Sequence, residues 1–186
     1  MSPRMLLLYT SRAVLFAAGA AVLCAAGRVW FLRSRKTGWS RRDTLLLLLV
    51  FFLAALLEIT VIRGGPDWDV LRTGAAVRQV ILVPFRSAYE LYRDGLWYFC
   101  VEVLGNTAAF IPFGVLLPLC FPRFGRIRRI LAASAGLSLC IELAQYALAT
   151  GMADVDDLLL NTLGGLAGFG LVRLTRKVRR KRETSV

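Results

Sequence analysis

Apolar residues run through this chain in long uninterrupted blocks, and the polar positions collect in short clusters between them. No period-two alternation suggests strands. Each block approaches the ~20 residues that cross ~30 Å of hydrocarbon as a helix. Five spans are expected. The first runs from Met5 or Ala13 to Leu32, and the others cover Thr44–Ile62, Leu96–Phe121, Ile127–Thr150 and Asp157–Leu174. Lipid offers backbone groups no partners, so helices are the expected form. The fold class is all-α: a polytopic transmembrane helix bundle with an extracellular interfacial or re-entrant segment. Arg12 and Arg28 intrude on the first block.

The blocks dominate the composition, which is 57% apolar over 186 residues. A single membrane domain is expected over residues 1–186, with N-terminal spans in 5–62 and a basic tail in 175–186. A net charge of +12 would suit nucleic acid, but the cations sit in clusters that flank the spans. Arg33, Arg35, Lys36, Arg41 and Arg42 lie between spans one and two, and Arg123, Arg126, Arg128 and Arg129 between three and four. "RLTRKVRRKRETSV" ends the chain. Five spans put all three on one side. The positive-inside rule makes that side the cytoplasm, with the N-terminus outside and no nucleic-acid partner. The first apolar block is too long for the core of a cleavable signal.

Between Arg63 and Gly95, "VRQVILVPFRSAYELY" is too short in its apolar part to span. It suits an interfacial piece anchored by Phe85, Tyr89, Tyr92, Trp97 and Tyr98. Cys24, Cys100, Cys120 and Cys140 have no CxxC spacing, and the chain has no His. Neither metal nor cofactor is expected, and the thiols read as small groups packed between helices.

Ionisable side chains inside spans are costly and mark candidate sites. Here they are Glu58, Glu102 and Glu142, with Asp154, Asp156 and Asp157 at the head of span five. Glu102 shares a helix face with Asn106, and Glu142 with Gln145. Asp154, Asp157 and Asn161 step by three and four as one stripe, which Gly164 and Gly168 continue as a GxxxG. Glu58 reads as a side chain that snorkels to the interface, and Asp154 and Asp156 as solvated or as caps of the fifth helix. With the N-terminus outside, Glu102 and Glu142 lie about 10 Å below the outer boundary. Pro112 and Pro118 are expected to bend span three. Ser134 and Ser138 have no His base.

In order, "NTAAFIPFGVLLPL", "IELAQ" and "DVDDLLLNTLGGLAG" resemble the VanZ-like family of bacterial membrane proteins, over about residues 80–174. Asn106, Phe110, Pro112, Gly114, Glu142, Gln145, Asp157, Asn161 and Gly164 match its pattern. Met152 stands where the family usually has an Arg, and Ile81 where it has an Asn. The resemblance implies a link to resistance against teicoplanin, a glycopeptide with a lipid tail. Taken with the polar layer, it implies a plasma-membrane protein that binds or modifies an envelope lipid or lipid-linked precursor. Glu142 and Asp157 would be the acid–base or headgroup-binding pair, and Glu102, Asn106, Gln145, Asp154 and Asn161 would position the ligand. The alternative is a non-catalytic scaffold whose polar residues only assemble the bundle.

Overall fold

The computed structural model describes residues 3–62 and 80–183, with side chains from residue 11 onward in the first helix. Part of the Arg63–Gly95 connector and the last three residues of the tail therefore lie outside the described residues. Among the described residues five helices are long and apolar enough to cross a membrane: Ser11–Arg35, Arg41–Ile62, Leu96–Cys120, Ile127–Leu148 and Val155–Glu183. The protein is an all-α membrane protein. It forms two compact units, residues 1–80 with 140–153, and residues 81–139 with 154–186.

In the first unit, helix α1 (Pro3–Arg35) and helix α2 (Arg41–Leu57) pack together as a hairpin. The link is short, which makes the helices antiparallel neighbours. Lys36 takes a left-handed conformation (φ 53°), and the Thr37 N–H closes back on the Leu32 carbonyl at 3.0 Å, so α1 stops there. Ser40 then starts α2 with a reciprocal cap. Its hydroxyl accepts from the Asp43 N–H, and the Asp43 carboxylate accepts from the Ser40 N–H at 2.8 Å.

The two arginines that seemed to spoil the first span have partners on the second, Arg41–Ile62. Arg28 Nε donates to Asp43 at 2.6 Å, and Arg12 stands 3.5 Å from Glu58. Sixteen residues separate the arginines and fifteen the acids, about 24 Å and 22 Å of helix rise. The spacings match, so both pairs close in one register. Glu58 is buried, with 5% of its surface exposed, and it does not snorkel to the interface. It opens a wider π-type turn, Glu58–Ile62, that ends the span. A double-mutant cycle on Arg12 and Glu58 is expected to give a coupling of about 1 kcal/mol, since Arg12 stays half exposed. Thermal unfolding in detergent measures it.

The second unit holds a short amphipathic helix α3 (Arg86–Asp94), helix α4 (Leu96–Cys120), the first part of helix α5 (Ile127–Leu148) and helix α6 (Val155–Glu183). The two-residue strands β1 (Val80–Ile81) and β2 (Ala153–Asp154) pair. Pro112 and Pro118 are accommodated inside α4, which continues for 25 residues without a break. What makes α4 special is its smooth face, because Gly114 lets α6 approach. A β-carbon on Gly114 would sit 1.9 Å from the Gly165 carbonyl oxygen, one on Gly164 2.0 Å from that of Thr107, and one on Gly168 2.1 Å from that of Ile111. Only hydrogen fits at these three positions. From Thr107–Gly164 to Ile111–Gly168 both helices advance by four residues, so α4 and α6 run parallel.

Large apolar side chains such as Leu15, Leu23, Leu104 and Leu143 are exposed. In water such a surface would invite association; on these helices it faces hydrocarbon. The cysteines follow the same division. Cys120 is buried, whereas Cys24 and Cys140 are exposed rather than packed between helices.

Candidate functional site

In the second unit one carboxamide joins two carboxylates. Asn106, in the third turn of α4, donates through Nδ2 to Glu102 at 3.0 Å and to Asp157 on α6. The Glu102 bond follows from i, i+4 spacing on one helix face. The Asp157 bond needs α6 alongside, and the glycine contacts supply that closeness. Asn106 lies ten residues, or about 15 Å, along α4 from Leu96. The cluster therefore sits well down α4 although Asp157 is in the first turn of α6. Glu102 is exposed, and Asn106 and Asp157 are half-buried.

The stripe read on α6 divides in two. Because α6 begins at Val155, Asp154 belongs to β2 and is off the helix. Its carboxylate accepts from the Asp156 N–H at 2.8 Å and so caps the first turn. Asp157, Gly164 and Gly168 face α4. Asn161 and Gly165 face α5 instead. Asn161 is buried and donates to Ser138 Oγ at 2.9 Å, while a β-carbon on Gly165 would lie 2.0 Å from Ser134 Oγ. Ser134 and Ser138 are fully buried. They act as small residues that admit α6, and Ser134 Oγ has no hydrogen-bond partner among the described residues. The i, i+4 serine pair in an apolar helix was the signal for this contact.

Asp156 has a role the sequence did not suggest. It is buried, and its carboxylate accepts from the backbone N–H groups of Phe85 and Ala88, the latter at 3.2 Å. It caps α3 rather than its own helix. Phe85 has a left-handed backbone (φ 64°), which presents these N–H groups to the acid, and a negative charge there suits the positive end of α3. Helix α3 is thus tethered to the head of α6. Phe85, Tyr89, Tyr92, Trp97 and Tyr98 are all exposed, as anchors at headgroup depth would be.

The remaining candidates belong to the first unit. Glu142 is buried on α5. Gln145 donates through Nε2 to the Thr60 carbonyl in the π-type turn at 3.0 Å, so its amide serves the protein. Helix α5 stops just beyond, at Leu148. Ala149 is left-handed (φ 53°), and the Thr150 N–H returns to the Gln145 carbonyl at 3.0 Å. Among the described residues no group of three or more His, Cys, Asp or Glu side chains is placed to hold a metal ion.

Comparison with known proteins gives two findings. The VanZ/LLP1 family model matches residues 45–176, which includes every residue of the candidate site. Protein VanZ of Enterococcus faecium is 38% identical over 76 residues, 41% of this chain and 47% of the relative, so the chain spans about half the length of that curated relative. No solved structure matches.

Proposed function

The chain belongs to the VanZ/LLP1 family, and from that premise we propose that it binds or modifies the headgroup of an envelope lipid or lipid-linked precursor. By doing so it would lower the sensitivity of the cell to a lipidated glycopeptide such as teicoplanin. The observation that carries this reading is the Glu102–Asn106–Asp157 cluster. Two acids held on one amide within membrane-crossing helices are expensive to keep. Each carboxylate has about four acceptor sites, so the cluster is suited to the N–H and O–H donors of an ammonium- or hydroxyl-bearing headgroup. Two carboxylates this close also attract a cationic group. Within this cluster Asp157 is the proposed headgroup-binding or acid–base residue, and Glu102 and Asn106 orient the ligand; Glu142, buried in the first unit, is proposed separately as a second acid on which the activity depends. Asp154 contributes indirectly, by fixing the first turn of α6.

The proposed membrane is the bacterial plasma membrane. Placing the three basic segments in the cytoplasm puts the first turn of α6 on the outer side, where a lipid-linked wall precursor is accessible. The assembly reading is favoured for part of the set. Asn161 and Gln145 each spend their amide on a protein group, Ser138 and Thr60 respectively, and we assign both to packing.

Tolerance to teicoplanin in a susceptible host tests the division. Asp157→Asn and Glu142→Gln are expected to abolish it while membrane levels and thermal stability stay normal. Asn161→Leu and Gln145→Leu are expected to lower the amount of folded protein instead. Full tolerance in both acid variants would refute the headgroup reading.

A further inference from the structure

A groove of about 630 Å³ lies entirely within the second unit, apart from the polar cluster. Its walls are Phe99 and Val103 of α4, Leu131 and Ala135 of α5, and the face of α6 that carries Leu163; Phe85 closes one end. Among the described residues two polar side chains line it, and both are occupied. Asp156 holds the backbone of α3, and the Thr162 hydroxyl donates to the Leu158 carbonyl at 2.7 Å. The groove therefore offers a ligand hydrocarbon contacts only.

We propose that this groove seats one acyl chain of a bilayer amphiphile, taken from the leaflet at the end where α4 and α6 begin. Three observations select that occupant. The groove is continuous with the lipid-facing surface, because Leu131, Leu159 and Leu163 line it and are 47%, 40% and 55% exposed. Apart from the Asp156 carboxylate, which the α3 backbone already holds, the lining is apolar and complements a hydrocarbon chain, and a charged or strongly polar segment would lose its hydration without compensation. Its depth also fits. From Asp156 to Leu166 is ten residues of helix, about 15 Å, which is half of a ~30 Å hydrocarbon layer. A volume of this size lies in the range of pockets that enclose a small ligand. Stacked against fixed walls, a chain there exchanges more slowly than annular lipid, which meets protein on one side only. The proposal stands apart from the headgroup reading, since it concerns occupancy and not antibiotic tolerance.

The test uses the full chain in nanodiscs of phosphatidylcholine doped with phosphatidylcholine that bears a diazirine at the middle of one acyl chain. After extraction and washing in lipid-free detergent, the sample is irradiated and the labelled peptides are mapped. Label on residues 131–135 and 159–166 is expected to exceed that around Leu104, an exposed position on α4 outside the groove, by at least about tenfold. Ala135→Phe, which fills the groove, is expected to remove the excess, and Leu131→Trp serves if the first variant fails to fold. Even labelling at Leu104 and the groove would overturn the proposal, as would label that survives both blocking variants. So would an unlabelled groove whose Leu163→Cys variant cross-links to a second copy of the chain. Loss of tolerance in Asp157→Asn with groove label intact would separate the two proposals.

Discussion

Gly168→Ala is expected to destabilise the protein by about 3 kcal/mol, at the upper end of the range for overpacked interiors. The added methyl would sit 2.1 Å from the Ile111 carbonyl oxygen and 3.1 Å from the α-carbon of Gly114. Both obstacles are backbone, so no side chain can rotate away, and α4 and α6 must separate along their length. Separation also stretches the Asn106–Asp157 bond, which depends on the same closeness. Gly170 is the control, because a β-carbon there meets nothing within 4 Å. Gly170→Ala is expected to be neutral or to stabilise by about 0.5–1 kcal/mol through helix propensity. Thermal unfolding of both variants in detergent decides the point. Equal stability would mean that α4 and α6 do not cross this closely.

Asp156→Ala is expected to cost about 3 kcal/mol and to free α3. One carboxylate accepts from two backbone donors, and hydrogen bonds to charged groups contribute about 1.5–3 kcal/mol each. Removing it leaves the Phe85 and Ala88 N–H groups without their acceptor and returns Phe85 to a conformation without positive φ. Amide hydrogen exchange should accelerate through residues 85–92 while the α4–α6 contact keeps its protection. Asp154→Ala removes a single cap and is expected to cost about 1 kcal/mol. If exchange in α3 were unchanged in Asp156→Ala, the tether would be refuted.

The spans were legible because about twenty consecutive apolar residues have few other uses. Gly164 and Gly168 were legible as a contact surface for the same reason that they are costly: glycine weakens a helix unless something must come close. The Glu102–Asn106 pair followed from helix geometry alone. Its extension to Asp157 did not, because it needs the register between α4 and α6. Asp156 reads from the sequence as solvated or as a cap for its own helix, since its partners stand some seventy residues away and one of them requires a left-handed phenylalanine. The stripe on α6 was drawn as one because spacing gives a face but not the neighbour behind each part of it. Arg12 and Arg28 looked like intruders for a similar reason. An arginine in an apolar block is a fault until the facing helix supplies an acid at the same height.

That pairing at two heights has a dynamic consequence. Helices that meet through apolar side chains alone can ratchet past each other by one turn, about 5.4 Å, and find a similar packing. The α1–α2 hairpin cannot, because a one-turn slip would break the Arg28–Asp43 and Arg12–Glu58 links together and strand two buried acids. Whatever movement this protein undergoes, the hairpin travels as a single rod.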